Sequence, residues 1–562
     1  MYTLRLVLLA LAAWPVLGAD ITVTVLATSD LHGNVYPTDY FTGKPAERGL
    51  AKLATRIAEV RKENPNTVLI DVGDTIQGSA MESVWQYWAA NRKLPVGLKW
   101  SGRAPTADPM MLAMNHLGFK GMVLGNHEFN FGLKNLNAAR SSAKFPWLSA
   151  NTLTEPGENA RPFAPYIVQT VGGVKVAVIG LTTPSIPRWE RPEGYKGYRW
   201  IGLKEATSAA VAELRKKHRP DVIIAAIHSG LSRSAADRGE NSVDVIAREV
   251  PGIDGIFFGH THNEVKGQEM NGVVLVQPKN WGISLGRIDI TLEKEGARWR
   301  VVKRSGTTIP AAGAAADEKL LALLRPYHEM TERYLSTPVA ECAVELDGRL
   351  GRVRDTALVD AINTVQMHYA KADVSFTSLF NPRVHVRKGA VTVREIAALY
   401  LYDNELFAIE GTGRMVKDAL ENSARFFQTC PDAGCSQGPL INRAVIGYQY
   451  DMAQGVDYEI DLTRAAGDRI VNLRRNGKPL NLDTKLRIAL NNYRYGGSGG
   501  YSMFRGAKIV WQSSQDIRNL IIEYFTEHGR LPERPDGNWT VVPAAAAAVL
   551  ATEAGEPADV QK

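Results

Sequence analysis

At 562 residues, with 45% apolar and 22% charged side chains, the chain has the make-up of an ordinary globular protein. That length exceeds what one core can organise and predicts two or three domains. A net charge of +7 is small for this size, and the absence of any basic block argues against a nucleic-acid polymer as partner.

The N-terminus reads as an export signal. Arg5 precedes an apolar run over residues 6–17, and Gly18 and Ala19 close it before Asp20. The run is short for a bilayer span and no later segment resembles one, so residues 1–19 predict a secreted or periplasmic protein with no membrane attachment beyond export, with a retained N-terminal anchor as the alternative. Exported chains tolerate disulfides. Cys430 and Cys435 are near enough in sequence to staple the loop at 431–434, Cys342 has no evident partner, and free thiols stay open as the alternative.

Residues 20–315 alternate apolar strands with helical stretches at 50–62 and 203–217, which predicts an α/β layered domain whose last strands fall at 272–277 and 286–292. After an Ala/Gly run at 311–316, residues 317–335 carry apolar side chains at helical spacing and predict a linker helix within 316–337. A second α/β domain follows over 338–543. It is expected to contain a helix at 356–370, strands at 448–462 and 470–490, and a hairpin turn at Asn476-Gly477. Tyr400 and Tyr402 alternate along an expected strand. The Ala-rich, then polar segment 544–562 reads as a disordered tail or frayed helix.

Five apolar runs of the first domain each end in metal-ligand residue types. Ile21 to Ala27 leads to Asp30-Leu31-His32, Val68-Leu69-Ile70 to Gly73-Asp74, and Met122-Val123-Leu124 to Gly125-Asn126-His127-Glu128. Val222 to Ile227 ends in His228-Ser229-Gly230, and Ile256-Phe257-Phe258 in Gly259-His260-Thr261-His262. Of eleven histidines, five fall at these strand ends, too many to read as scattered packing residues. Two divalent metals held for in-line attack at phosphorus need one bridging carboxylate with N/O ligands on either side. Asp74 suits the bridge. Asp30, His32 and His262 would complete one site, and Asn126, His228 and His260 the other. His127 is then free to stabilise or protonate the leaving oxygen. Zn, Mn, Fe and Co fit such ligands about equally.

These five blocks resemble the calcineurin-like metallophosphoesterases, and their order resembles the 5'-nucleotidase family. The resemblance implies an α/β fold: a two-sheet metallophosphoesterase sandwich flanked by helices, joined by a linker helix to an α+β C-terminal domain that binds substrate. Further blocks, Leu399 to Asn404, Tyr450 to Tyr458, Asn476-Gly477-Lys478-Pro479 and Asn491-Asn492-Tyr493-Arg494, are similar to the 2',3'-cyclic-nucleotide 2'-phosphodiesterase/3'-nucleotidase branch. Asn130 stands where 5'-nucleotidases usually carry an Asp that orients the catalytic His, and the cyclic branch resembles this chain in having Asn there. Tyr402 and Tyr493 are implied as two rings that sandwich a nucleobase, and Arg383 and Arg387 are candidate substrate contacts. The expectation is a two-metal hydrolase of small nucleotides. A 5'-nucleotidase or nucleotide-sugar hydrolase is the nearest alternative. A thiosulfohydrolase is disfavoured by the C-terminal blocks, and a silent binding module by the complete ligand set.

Overall fold

The structure is a computed structural model describing residues 20–555, apart from 156–159, 191, 233–238, 403 and 433. The expected export signal at 1–19 and the final residues 556–562 lie outside the described residues.

The first domain is built on two six-stranded sheets packed face to face. In chain order the strands are β1 (Ile21–Thr28), β2 (Thr67–Asp71), β3 (Gly121–Val123), β4 (Trp147–Leu148), β5 (Tyr166–Val171), β6 (Val174–Thr182), β7 (Val222–His228), β8 (Gly255–Phe258), β9 (Val265–Met270), β10 (Val273–Gln277), β11 (Ser284–Glu295) and β12 (Arg298–Pro310). One sheet runs β12-β11-β1-β2-β3-β4, the other β9-β10-β8-β7-β6-β5. Strand β7 shows why these residues form a central strand. Its Val222, Ile224 and Ala226 face the inter-sheet core, while Ile223, Ala225 and Ile227 face helix α3 (Leu203–Lys217) on the other side. Both faces are covered, so the sequence is a continuous apolar run instead of an alternating one. On the outer face of the first sheet, helices α1 (Leu50–Glu63) and α2 (Ala80–Asn91) both bury side chains in the core that includes Leu26, Leu69 and Met122.

Strands β1 to β4 pair in parallel, as do β6, β7, β8 and β10. The loops leaving the parallel strands meet at one place. Asp30 donates its backbone N–H to Gly73 O at 2.9 Å, His32 to Asp74 O at 2.8 Å, and His260 to Asp30 Oδ1 at 2.9 Å. Strand β12 went unpredicted, because its exposed, Arg- and Lys-rich edge lacks the apolar alternation that marks a strand.

Helix α4 (Glu318–Leu335) links the domains, capped by Asp317, whose side chain accepts from Leu320 N at 2.7 Å. Its Leu320, Leu324 and Met330 belong to one core that continues into the second domain. There, the helix α5 (Ala357–Ala370) packs on a five-stranded sheet. The strands of this domain's two larger sheets are β13 (Val374–Ser378), β14 (Glu405–Thr412), β15 (Asp451–Gln454), β16 (Asp457–Asp461), β17 (Ile470–Arg475), β18 (Lys478–Pro479), β19 (Lys485–Asn491), β20 (Ile509–Asp516) and β21 (Trp539–Val542). Their orders are β15-β13-β19-β14-β20 and β18-β17-β16-β21.

Two expectations need correction, and one alternative is decided. The strand expected over 448–462 breaks at Gly455 (φ 88°), so β15 and β16 serve different sheets. Tyr400 and Tyr402 lie on the turn and loop after a short helix (Val393–Ala397), not on a strand, and β14 begins only at Glu405. Of the two alternatives for the last segment, a disordered tail or a frayed helix, residues 544–555 form a helix, α8 (Ala544–Gly555), which follows α6 (Asn492–Tyr495) and α7 (Ile517–His528) in the chain. Ala546 and Leu550, one helical turn apart, are buried, and Glu553 accepts from Leu440 N and Ile441 N at 2.7 and 3.0 Å. The Asn476-Gly477 hairpin is present, with both residues at positive φ (51° and 74°), as a tight two-residue turn requires. Cys430 and Cys435 are bridged, their Cα atoms 4.9 Å apart, and Cys342 is free and buried. Among the described residues, no helix is long and apolar enough to cross a membrane.

Candidate active site

The loop convergence brings all seven candidate ligands together. Donor atoms of Asp30, His32, Asp74 and His262 lie within 4.8 Å of one another, and so do those of Asp74, His228 and His260. Asp74 is common to both groups. Asn126 joins the second, with Oδ1 3.2 Å from His228 Nε2 and 3.0 Å from His260 Nδ1.

Hydrogen bonds behind the rings set which nitrogen faces inward. His32 Nδ1 lies 3.0 Å from Gln77 O and His228 Nδ1 lies 2.8 Å from Val72 O. Carbonyl oxygens only accept, so both Nδ1 atoms carry hydrogen and Nε2 is the nitrogen that each ring turns into the site. His260 is reversed: its Nε2 meets Glu240 Oε1 at 3.0 Å and its Nδ1 faces inward. His32 Nε2 and His262 Nε2 stand only 3.0 Å apart, a spacing that needs a proton or a cation between two lone pairs. This N/O donor set suits borderline divalent ions.

The backbone is strained where the donors are. Asp30, His32, Asp74, His260 and His262 all have positive φ, between 46° and 70°. Each such residue costs on the order of 1–3 kcal/mol, a cost that clusters at functional sites. Close approach explains two glycines in the motifs. A Cβ on Gly125 would strike Asp74 Oδ1, and one on Gly259 would strike Ser29 Oγ.

The field of the site is uneven. Burial opposes charge on Asp74, yet His228 and His127 beside it hold its pKa well below the usual carboxylate range. Burial also opposes charge on His228, but the Asp74 carboxylate pushes its pKa up to about 10, whereas burial and the neighbouring His262 pull His32 down to about 4. Glu128, fully buried, accepts from Gly125 N, Asp74 N and Thr75 N at 2.6, 2.9 and 2.7 Å, tying the β2 and β3 loops together.

His127 stands outside the two donor groups. Its backbone N–H donates to Asp74 Oδ1 at 2.9 Å, its Nδ1 meets Asn130 Oδ1 at 2.6 Å, and its Nε2 lies 3.4 Å from the Tyr493 hydroxyl of the second domain. His127, Asn130 and Tyr493 line a cavity of about 760 Å³ between the domains. Tyr402 is 43% exposed, its ring edge-on to Phe380 at 5.1 Å. Arg383 and Arg387 are exposed and do not line the cavity. Near Tyr402 lies Arg352, whose guanidinium donates to Leu379 O at 3.1 and 2.7 Å and whose pKa burial lowers to about 10.

Gln77, Glu128, Glu190, Glu240 and Arg352 went unassigned in the sequence. Glu128 carried a signal, as the acid that completes the Gly125-Asn126-His127-Glu128 block. The others sit in loops without periodicity, and nothing in their spacing marks them.

Residues 23–264 match the family described as Calcineurin-like phosphoesterase, and residues 337–506 match 5'-nucleotidase, C-terminal domain. A 2',3'-cyclic-nucleotide 2'-phosphodiesterase/3'-nucleotidase from Salmonella typhimurium is 30% identical over 95% of this chain and 91% of its own length. The trifunctional nucleotide phosphoesterase YfkN of Bacillus subtilis is also 30% identical, over 93% of this chain, which spans 39% of that longer protein. The solved 5'-nucleotidase precursor from Thermus thermophilus superposes with a TM-score of 0.63 at 23% identity, covering 93% of this chain and 99% of that one, a likeness of fold. The family implies divalent metal ions, for which the clustered donors are candidate ligands. The chain therefore belongs to the 5'-nucleotidase family of calcineurin-like metallophosphoesterases and is a metal-dependent phosphoric ester hydrolase.

Proposed function

We propose that this protein is an exported two-metal hydrolase of nucleotides that opens 2',3'-cyclic nucleotides to 3'-nucleotides and then removes the phosphate. The observation that carries the reading is Asp74, one carboxylate common to two donor groups. On this reading Asp30, His32, Asp74 and His262 hold one divalent ion, and Asp74, Asn126, His228 and His260 the other. Ions bound there supply positive charge to the phosphoryl oxygens and acidify the attacking water. His127 Nε2, at the cavity face, gives a proton to the leaving oxygen. Tyr493, from the second domain, and Tyr402 hold the base. The choice of the cyclic branch is supported by the Salmonella relative and by Asn130 beside His127.

A substrate panel on the purified mature protein, with Zn, Mn, Co and Fe added back in turn, tests this. Turnover should be highest on 2',3'-cyclic AMP and 3'-AMP. Preference for 5'-AMP or UDP-glucose would make it a 5'-nucleotidase or nucleotide-sugar hydrolase instead.

A further inference from the structure

Asn130 poses a problem that an Asp in its place would not. A carboxylate only accepts hydrogen bonds, so beside His127 Nδ1 it would by itself require hydrogen on that nitrogen. An amide has two ends of opposite character and fits either ring tautomer, depending on which end it turns to the histidine. Something else must decide.

Behind Asn130 stands Glu190, whose Oε1 accepts from Asn130 Nδ2 at 2.6 Å. The amide NH₂ must face this carboxylate, so Oδ1 is left to face His127 Nδ1, also at 2.6 Å. An amide oxygen donates nothing, so Nδ1 bears hydrogen. Nε2 is then the one nitrogen that takes up and releases a proton, and it is the one on the Tyr493 side of the ring, 3.4 Å from that hydroxyl. His127, Asn130 and Glu190 all line the interdomain cavity.

We propose that Glu190 is a positioning residue that fixes the Asn130 amide, and through it the His127 tautomer, so that Nε2 delivers the proton to the leaving oxygen. This rests on the role given to His127 above. As water adds to phosphorus, the electrons of the P–O ester bond pass to the ester oxygen, which takes the Nε2 proton and departs as an alcohol. The proton lost by the water restores the imidazolium for the next turnover. Glu190 itself exchanges no proton.

The test compares leaving groups in the full-length, metal-loaded protein. The ribose oxygen of 3'-AMP needs a proton to depart, while p-nitrophenolate leaves well without one. Glu190→Gln keeps the shape but offers Asn130 either end of a second amide. It should lower kcat on 3'-AMP about tenfold or more and kcat on p-nitrophenyl phosphate less than about threefold, with both KM values near wild type. Adding Asn130→Asp to that variant should restore kcat on 3'-AMP, because a carboxylate at 130 sets the tautomer unaided. Glu190→Ser replaces Glu190→Gln if the latter does not fold. Equal losses on both substrates, a change confined to KM, or no rescue by Asn130→Asp would overturn the proposal. Wild-type protein that cleaves p-nitrophenyl phosphate but not 3'-AMP would instead overturn the nucleotide reading. The relay would then be tested in the same variants with glycerol 2-phosphate in place of 3'-AMP.

Discussion

The two walls of the interdomain cleft are built on different terms. On the first domain's side the candidate ligands sit at the last residue of a buried parallel strand or two to four residues beyond one, five of the seven have positive φ, and Glu128 knots two of the loops together. On the other side Tyr493 lines the cavity from a helix of four residues, and Tyr402, which is not among the lining residues, stands 43% exposed in a nearby loop. The contrast follows from what each wall must do. Metal chemistry needs donors placed before substrate arrives, and strain is tolerated there because the surrounding sheets hold it. Base stacking accepts any π-face and needs little geometric exactness.

Breaking the rigid wall should have the largest effect. Asp74→Asn alters the carboxylate common to both donor groups and should cut activity by more than about 100-fold, since even losing a partner behind a metal ligand costs about 10–100-fold. Full activity in a folded Asp74→Asn protein would contradict the shared-ligand account. Glu128→Gln turns an NH₂ toward backbone donors now satisfied by carboxylate oxygens. Each orphaned N–H should cost about 1–3 kcal/mol, readable by denaturant unfolding. A variant as stable as wild type would mean that Glu128 does not brace the loops.

The adaptable wall should respond differently. Tyr402→Ala should raise KM for purine nucleotides roughly tenfold, leave bis(p-nitrophenyl) phosphate turnover far less affected, and change stability by less than about 0.5 kcal/mol. A fall in stability with equal loss on both substrates would make Tyr402 a packing residue.

The smallest effect lies away from the cleft, in the second domain. Asp360 is 7% exposed, and burial, with Asp355 and Asp536 nearby, pushes its pKa up to about 8. A carboxyl raised in the folded state contributes stability that is fully present below its unfolded pKa of about 3.9 and is lost as pH rises through 8. Asp360→Asn should therefore raise Tm by a few degrees at pH 9 relative to wild type, and change it little at pH 4. An equal shift at both pH values would assign the effect to packing.

The same contrast governs how much could be read from the sequence. Parallel strands buried on both faces are continuous apolar runs, and each donor block follows directly on one, so the convergence at Asp74 was legible from residues 21–262. The hairpin was legible because Asn476 and Gly477 tolerate positive φ. Helix α8 was legible only as one of two alternatives, because within its run of alanines only Ala546 and Leu550 mark a buried face. The Tyr402 loop was mistaken for a strand because two tyrosines two residues apart imitate strand alternation. Glu190 and Glu240 act through partners 60 and 20 residues away in the chain, a relation that no local pattern encodes.

The central claim is that one carboxylate serves two metal ions. Metal content of the purified, fully loaded protein, measured by plasma mass spectrometry beside Asp74→Asn, tests it most directly. The account predicts two divalent ions per wild-type chain and fewer than one in the variant. One ion per wild-type chain, or two retained by Asp74→Asn, would contradict it.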